Sequence, residues 1–220
     1  IRIINEYFDL VVYRDIVERH KIKNIQLIKW LIKSLLASFS KEFSVHKLYL
    51  SLKSRGIKLS KNTLYSYLSM LEDSMFAFFI NKFKYSIRKR EFSINKVYLC
   101  DIGFLKLSEF SGDKGKKIEN VVLLELKRKA SPLEQIFYWS NGKSEIDFIV
   151  TQGLKIKHLI QVCHNINDYD TKRRETRALV KASKELKCKN LLVITFDYES
   201  EERLQGKKIK FIPLWKWLLE

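Results

Sequence analysis

QIFYWSNGKSEIDFIVT, residues 135–151, is the stretch on which the reading of the fold turns. Runs rich in aromatic and β-branched residues flank Asn141-Gly142, and Asn-Gly is a strong hairpin signal because both residues tolerate the positive φ of a tight turn. Toward the carboxyl end, IKHLIQVC (156–163) follows the Gly153 turn as a third strand, and its near-continuous apolar character predicts burial on both faces. A long polar helix comes next, roughly Thr171 to Lys187, with Leu179, Ala182 and Leu186 as its buried stripe. LLVITFDY (191–198) reads as a fourth strand, KIKFIPL (208–214) as a fifth, and WKWLLE (215–220) as a short helix. Toward the amino end, KKIENVVLLELKRK (116–129) sets Ile118, Val121, Val122 and Leu126 on one side of a helix. The order predicts a small α/β sandwich around a mixed sheet.

Upstream the pattern changes to short helices. Residues 3–20 and 25–38 carry apolar positions three and four apart (Ile4, Phe8, Val11, Val12, Ile16; Ile28, Leu31, Ile32, Leu35). Ser44 is placed to cap a helix with Val45, Leu48 and Leu52 buried, and Gly56 sits where a left-handed terminating residue is wanted. Ser60 caps the next helix, whose buried face is Leu64, Leu68 and Leu71. Joined by SRGIKL (54–59), the pair makes a helix-turn-helix. MFAFFINKFKY (75–85) and INKVYLCDI (94–102) favour strands, and the linker between them, SIRKREFS (86–93), is basic. A helix pair followed by a basic β-hairpin is the winged-helix pattern. The predicted organisation is α/β overall, with a winged helix-turn-helix over residues 1–102 and the sandwich over 103–220.

Charge points to a partner. Among 220 residues, 42 Lys+Arg against 25 Asp+Glu give a net charge of +17, while 46% hydrophobic residues and only two prolines exclude a disordered or low-complexity chain. Residues 1–100 carry 19 basic and 8 acidic side chains, net +11, and residues 101–220 carry 23 and 17, net +6. The first half is therefore expected to meet nucleic acid, since surface cations displace counterions from phosphate. In a winged helix the second helix of the pair enters the major groove, which nominates Lys58, Lys61, Asn62, Tyr65 and Ser66, with Arg88, Lys89 and Arg90 reaching phosphate from the wing. The plainer reading is a protein-docking winged helix with solvated charge.

The series VVYRDIVERHKI (11–22), SKNTLYSYLSMLEDS (60–74), KVYLCDIGF (96–104), KKIENVVLLEL (116–126), IFYWSNGKSEIDFIV (136–150) and LIQVCHNINDYDTKRRE (159–175) resembles, in that order, the carboxy-terminal region of archaeal and bacterial AAA+ ATPases. In these a P-loop module precedes a winged helix and a PD-(D/E)XK nuclease-like domain, an α/β sandwich with a mixed sheet. The resemblance implies DNA and an upstream ATPase domain as partners. The chain itself holds no glycine-rich phosphate loop, so ATP is expected only through that upstream domain; Arg14 and Arg19 read as helix-surface residues, with an approach to that nucleotide as the alternative. The first residue, Ile1, suggests a fragment.

Nuclease chemistry needs carboxylates to hold Mg²⁺ at the scissile phosphate and a lysine beside them. By the resemblance Glu119, Asp147 and Gln161 are the catalytic and metal-holding positions. Gln161 stands where the family has glutamate and Cys163 where it has lysine, so the site is expected to be degenerate or weakened. Lys157 shares strand parity with Gln161, Arg173 and Arg174 follow on the next helix, and Glu145 is a reserve carboxylate read as a turn residue. Cys163 and His164 are adjacent in a strand and point to opposite faces, which excludes a thiol–imidazole pair.

Three cysteines fit neither a disulfide framework nor a zinc site, and no uninterrupted apolar run of about eighteen residues appears. A soluble, cytoplasmic protein without a membrane partner is expected. The functional expectation is a DNA-binding, nuclease-derived output module of an archaeal-type AAA+ ATPase. The alternatives are an active Mg²⁺-dependent DNA endonuclease and a protein-interaction module that forms homo-oligomers.

Overall fold

The computed structural model describes residues 2–107 and 112–220, and the chain divides into two compact units. One comprises Ile1–Phe79 with Ile94–Asp113, the other Ile80–Ser93 with Lys114–Glu220. The division differs from a single cut after residue 102, because the segment 80–93 belongs to the second unit.

In the first unit, α1 (Arg2–Leu10) runs on as a π-helical stretch, Val11–Glu18, and is followed by α2 (Ile25–Ala37), β1 (Lys41–Phe43), α3 (Val45–Ser54), α4 (Lys61–Asp73), β2 (Ala77–Ile80) and β3 (Asn95–Leu99). A 3₁₀ segment, Ile102–Leu107, closes it. Each long helix starts where a side chain satisfies an otherwise orphaned amide: Asn24 accepts from Leu27 N at 2.9 Å, Ser44 from Lys47 N at 3.3 Å and Ser60 from Thr63 N at 3.1 Å. Gly56 adopts φ +77° just past α3, the conformation for which its missing Cβ suits it. The apolar stripes then meet: Ile16, Ile28, Leu31, Leu35, Leu64, Leu71, Phe76 and Leu99 form one core. A three-stranded sheet in the order β1-β3-β2 lies against the helices, β1 antiparallel to β3 with Lys41 opposite Val97. β1, three residues long, was not foreseen.

The second unit contains α5 (Ile87–Glu91), α6 (Lys114–Lys129), β4 (Glu134–Ser140), β5 (Glu145–Gln152), β6 (Lys155–Cys163), α7 (Tyr169–Leu186), β7 (Leu191–Thr195), β8 (Ser200–Leu204), β9 (Lys207–Pro213) and α8 (Leu214–Leu219). Its six strands order as β4-β5-β6-β7-β9-β8, with β6, β7 and β9 parallel and the other pairs antiparallel, a mixed sheet as expected. The β4–β5 turn closes as its residues demand, with Gly142 at φ +86° and Asn141 Oδ1 accepting from Lys143 N and Ser144 N. The hairpin β8–β9 is new relative to the sequence reading, its turn made by Gln205 and Gly206, both at positive φ. Leu179 and Ala182 of α7 pack on Phe137, Ile149, Leu159, Val193 and Phe211 of the sheet.

The basic linker 86–93 is not an open loop. Ser86 caps α5, and the backbone before it pairs with the β4 edge, Phe83 N donating to Tyr138 O at 2.6 Å and Tyr138 N to Asn81 O at 3.2 Å. An edge strand left bare would be a template for aggregation, and this segment covers it.

Candidate functional site

On α4 the heptad-like spacing that buries Leu64, Leu68 and Leu71 turns the intervening residues outward. Lys61, Asn62, Tyr65 and Ser66 are exposed along one face, Lys58 is exposed just before the helix, and Lys61 Nζ sits 5.5 Å from the centre of the Tyr49 ring. All five nominated residues of this region are thus on the surface. Those of the linker divide. Arg88 and Lys89 are exposed on α5, whereas Arg90 lies over the Phe137 ring at 4.3 Å and donates to Lys84 O. Arg90 thus packs, half-buried, within the second unit.

The second unit gathers its polar residues under α7. Phe137 pairs with Ile149 and Trp139 with Ile146, so Asp147 and Phe148 together oppose Tyr138 alone, a β-bulge at Asp147. The β5–β6 ladder ends at Phe148–Ile160, and beyond it side chains take over the backbone groups. Asp147 N donates to Gln161 Oε1 at 3.3 Å, and Val162 N donates to Asp147 Oδ2 at 2.9 Å. Gln161 Nε2 donates in turn to Glu175 Oε2 at 2.6 Å, and Arg174 donates two hydrogen bonds to Glu175 Oε1 at 3.0 and 2.6 Å. Asp147, Gln161 and Glu175 are all buried, and the Glu175 carboxylate keeps the Arg174 guanidinium firmly protonated. Burial first, and then the negative charge of Glu175, push the Cys163 thiol up to about 11, so it offers no thiolate at neutral pH.

Of the three residues nominated together, the structure joins Asp147 and Gln161. Glu119 is buried on α6, a helix that at Leu126 and Lys129 lines a cavity on the sheet face bearing Val150, His158 and Ile160. Among the described residues no group of three or more His, Cys, Asp and Glu side chains could hold a metal ion. The cluster under α7 is a poor fit to the Mg²⁺ implied by the resemblance, since Asp147 Oδ2, Gln161 Oε1 and both Glu175 carboxylate oxygens already accept from protein donors. Glu145 stands opposite Ser140 at the mouth of the hairpin, half-buried as the first paired residue of β5 rather than exposed in the turn. Lys157 is paired with Glu134 at 2.8 Å and so is engaged outside the cluster. The basic group that does reach the cluster is Arg174. Glu175 was not singled out in the sequence, although a carboxylate following two arginines in an otherwise basic helix was the available signal.

A family model described as a domain of unknown function, DUF8612, matches residues 1–113. The chain belongs to the DUF8612 family. Directly after the DUF8612 region, a second model described as a domain of unknown function, DUF4143, matches residues 114–217, and the junction falls where the long segment of the second unit begins. An uncharacterized protein of Methanocaldococcus jannaschii is 38% identical over 225 residues, covering 99% of this chain and 50% of that protein. An uncharacterized protein of Haemophilus influenzae is 26% identical over 222 residues, covering 99% of this chain and 52% of that protein. The chain spans about half the length of these curated relatives. No solved structure matches. No helix among the described residues is long and apolar enough to cross a membrane.

Proposed function

We propose that the DUF8612 unit is a winged helix that binds DNA through α4, and that the second unit is a nuclease-derived sandwich that has lost metal-dependent cleavage. The order α2, β1, α3, α4, β2, β3 with sheet order β1-β3-β2 supports the winged-helix reading. The observation that carries DNA contact is the exposed row Lys61, Asn62, Tyr65 and Ser66, polar and hydrogen-bonding, at the amino-terminal half of the helix that such folds place in the major groove. The first unit, residues 1–79 and 94–113, carries 15 basic and 10 acidic side chains, and this net +5 supplies a general attraction to phosphate.

For the second unit, the support is the committed cluster Asp147–Gln161–Glu175. In the complete protein this pair of units acts as the output end of an archaeal-type, cytoplasmic AAA+ ATPase, a reading consistent with relatives about twice as long. Nucleotide hydrolysis elsewhere in the polypeptide would then move or remodel DNA held here.

The test is duplex binding by fluorescence anisotropy with the 220-residue chain. Joint Asn62→Ala and Tyr65→Ala substitution is expected to weaken binding at least tenfold at fixed salt without altering the slope of log K against log[salt]. Unchanged affinity removes α4 as the contact. In a cleavage assay with Mg²⁺ or Mn²⁺ no product is expected, and metal-dependent cleavage lost on Asp147→Ala favours the endonuclease alternative.

A further inference from the structure

The basic excess of the second half of the chain is not spread over it. Residues 172–189 hold eight basic and two acidic side chains, net +6, so the remaining fifteen basic and fifteen acidic residues of 101–220 cancel. All of this excess lies on α7 and the residues just after it. One of the two acids, Glu175, is buried and already paired with Arg174.

The helix displays these cations in a line. Arg173, Arg177, Lys181 and Lys184 are exposed and follow one another at four, four and three residues, the spacing that stacks side chains on one helical face. The buried stripe Leu179, Ala182 and Leu186 fixes which face that is, since it packs on the sheet and leaves the cations outward. Among the described residues, Arg173, Arg177 and Lys181 have no ion-pair partner, and Lys184 Nζ bonds a neutral one, Gln205 Oε1, at 2.7 Å. Asp170 at the first turn and Glu185 at the last are the acids that bound the line. From Arg173 to Lys184 the row runs about 16 Å at 1.5 Å per residue, long enough to meet several phosphates of one strand. Four like charges held on a rigid helix, with carboxylates only at the two ends of the row and, among the described residues, no ion pair to Arg173, Arg177 or Lys181, repel one another, and a polyanion relieves that cost.

We infer that the exposed face of α7 is a track for the phosphodiester backbone of a nucleic acid, a second contact surface independent of α4. It reads no sequence, because its contacts are to phosphate. The track gives the second unit a role that survives the absence of a metal site: it holds the strand while the first unit supplies any base contact.

The experiment measures binding of the 220-residue chain to labelled single-stranded and duplex oligonucleotides across a salt series. The triple variant Arg173→Gln, Arg177→Gln, Lys181→Gln alters only exposed side chains, and an unchanged circular-dichroism melt verifies its fold. The expected result is a shallower salt dependence, by about 2 to 3 units of log–log slope on duplex and about 2 on single strands, with affinity at low salt down at least tenfold. An unchanged slope with binding intact overturns the track and leaves the α4 reading standing. A lost slope in the triple variant beside an inert Asn62→Ala, Tyr65→Ala pair supports the track and removes α4. Loss of binding to phosphatidylglycerol vesicles with oligonucleotide binding unaltered overturns the inference in favour of a lipid surface, and a wild-type chain that binds neither oligonucleotide at 50 mM salt overturns both contacts.

Discussion

The polar face of α4 and the polar cluster beneath α7 contain similar side chains under opposite conditions. On α4, Asn62, Tyr65 and Ser66 face water, and their hydrogen-bonding capacity is available to a partner. Beneath α7, Asp147, Gln161 and Glu175 are shut away from water and satisfy one another and two strand amides. A buried polar group must be paired because desolvation costs more than its hydrogen bond returns. The first arrangement therefore suits recognition and the second suits holding a sheet together where its backbone ladder has ended.

That contrast can be broken in several places. The largest effect is expected on α4 itself, where Leu64→Ala should destabilise the first unit by about 3 kcal/mol in urea denaturation because its side chain is wholly buried, while Tyr65→Ala one residue on should cost about 0.5 kcal/mol or less. Equal costs would mean that α4 has no free face. Gln161→Ala is expected to lose about 2 kcal/mol, since it removes the donor to Glu175 Oε2 and the acceptor of the Asp147 amide in a buried setting. A neutral outcome by the same measurement would show that the cluster does not brace the sheet and would reopen a chemical role for it.

Smaller effects sharpen the picture at the edge of the second unit and on α6. Arg90→Ala should cost about 1 kcal/mol through its lost stacking on Phe137, whereas Lys89→Ala, on the open side of α5, should leave the melting temperature unchanged. The Glu125 carboxylate is held at about 2, below its ordinary 4.5, chiefly by hydrogen bonds from Arg128 and then Lys129. Because the folded state lowers this value, the stabilisation is complete above about pH 4.5 and is lost as pH falls toward 2. Thermal melts at pH 5 and pH 2 should therefore show a smaller drop for Glu125→Gln than for the unaltered chain, and identical drops would remove the ion pair from the account.

Much of the first unit was legible because its signals are local. Ser44, Ser60 and Gly56 act within one helical turn, so the residue type alone announces the boundary. Asn141 and Gly142 announce the β4–β5 hairpin for the same reason. The strands β1 and β8 escaped notice: Lys41–Phe43 is too short to show a period, and Ser200–Leu204 is polar because it lies at the sheet edge. The basic linker misled for a different reason. Ile87–Glu91 has the composition of a wing, yet Arg90 finds an aromatic ring more than forty residues away in sequence.

The candidate site shows the same division. The resemblance set Gln161 beside Asp147, but it could not foresee the bulge that seats the Asp147 carboxylate on the Val162 amide. It was equally silent on Glu175, which arrives from a helix and joins the cluster through Gln161.

Composition, caps and periodicity by themselves determined the order of the longer helices and strands, the two-part organisation and the net positive charge. Only the tertiary structure decided which polar groups are buried together, that segment 80–93 belongs with the second unit, and that the cations of α7 form one uncompensated row. The reason is range: caps and turns act over about four residues, whereas desolvation and ion pairing depend on what the rest of the fold brings within about 4 Å.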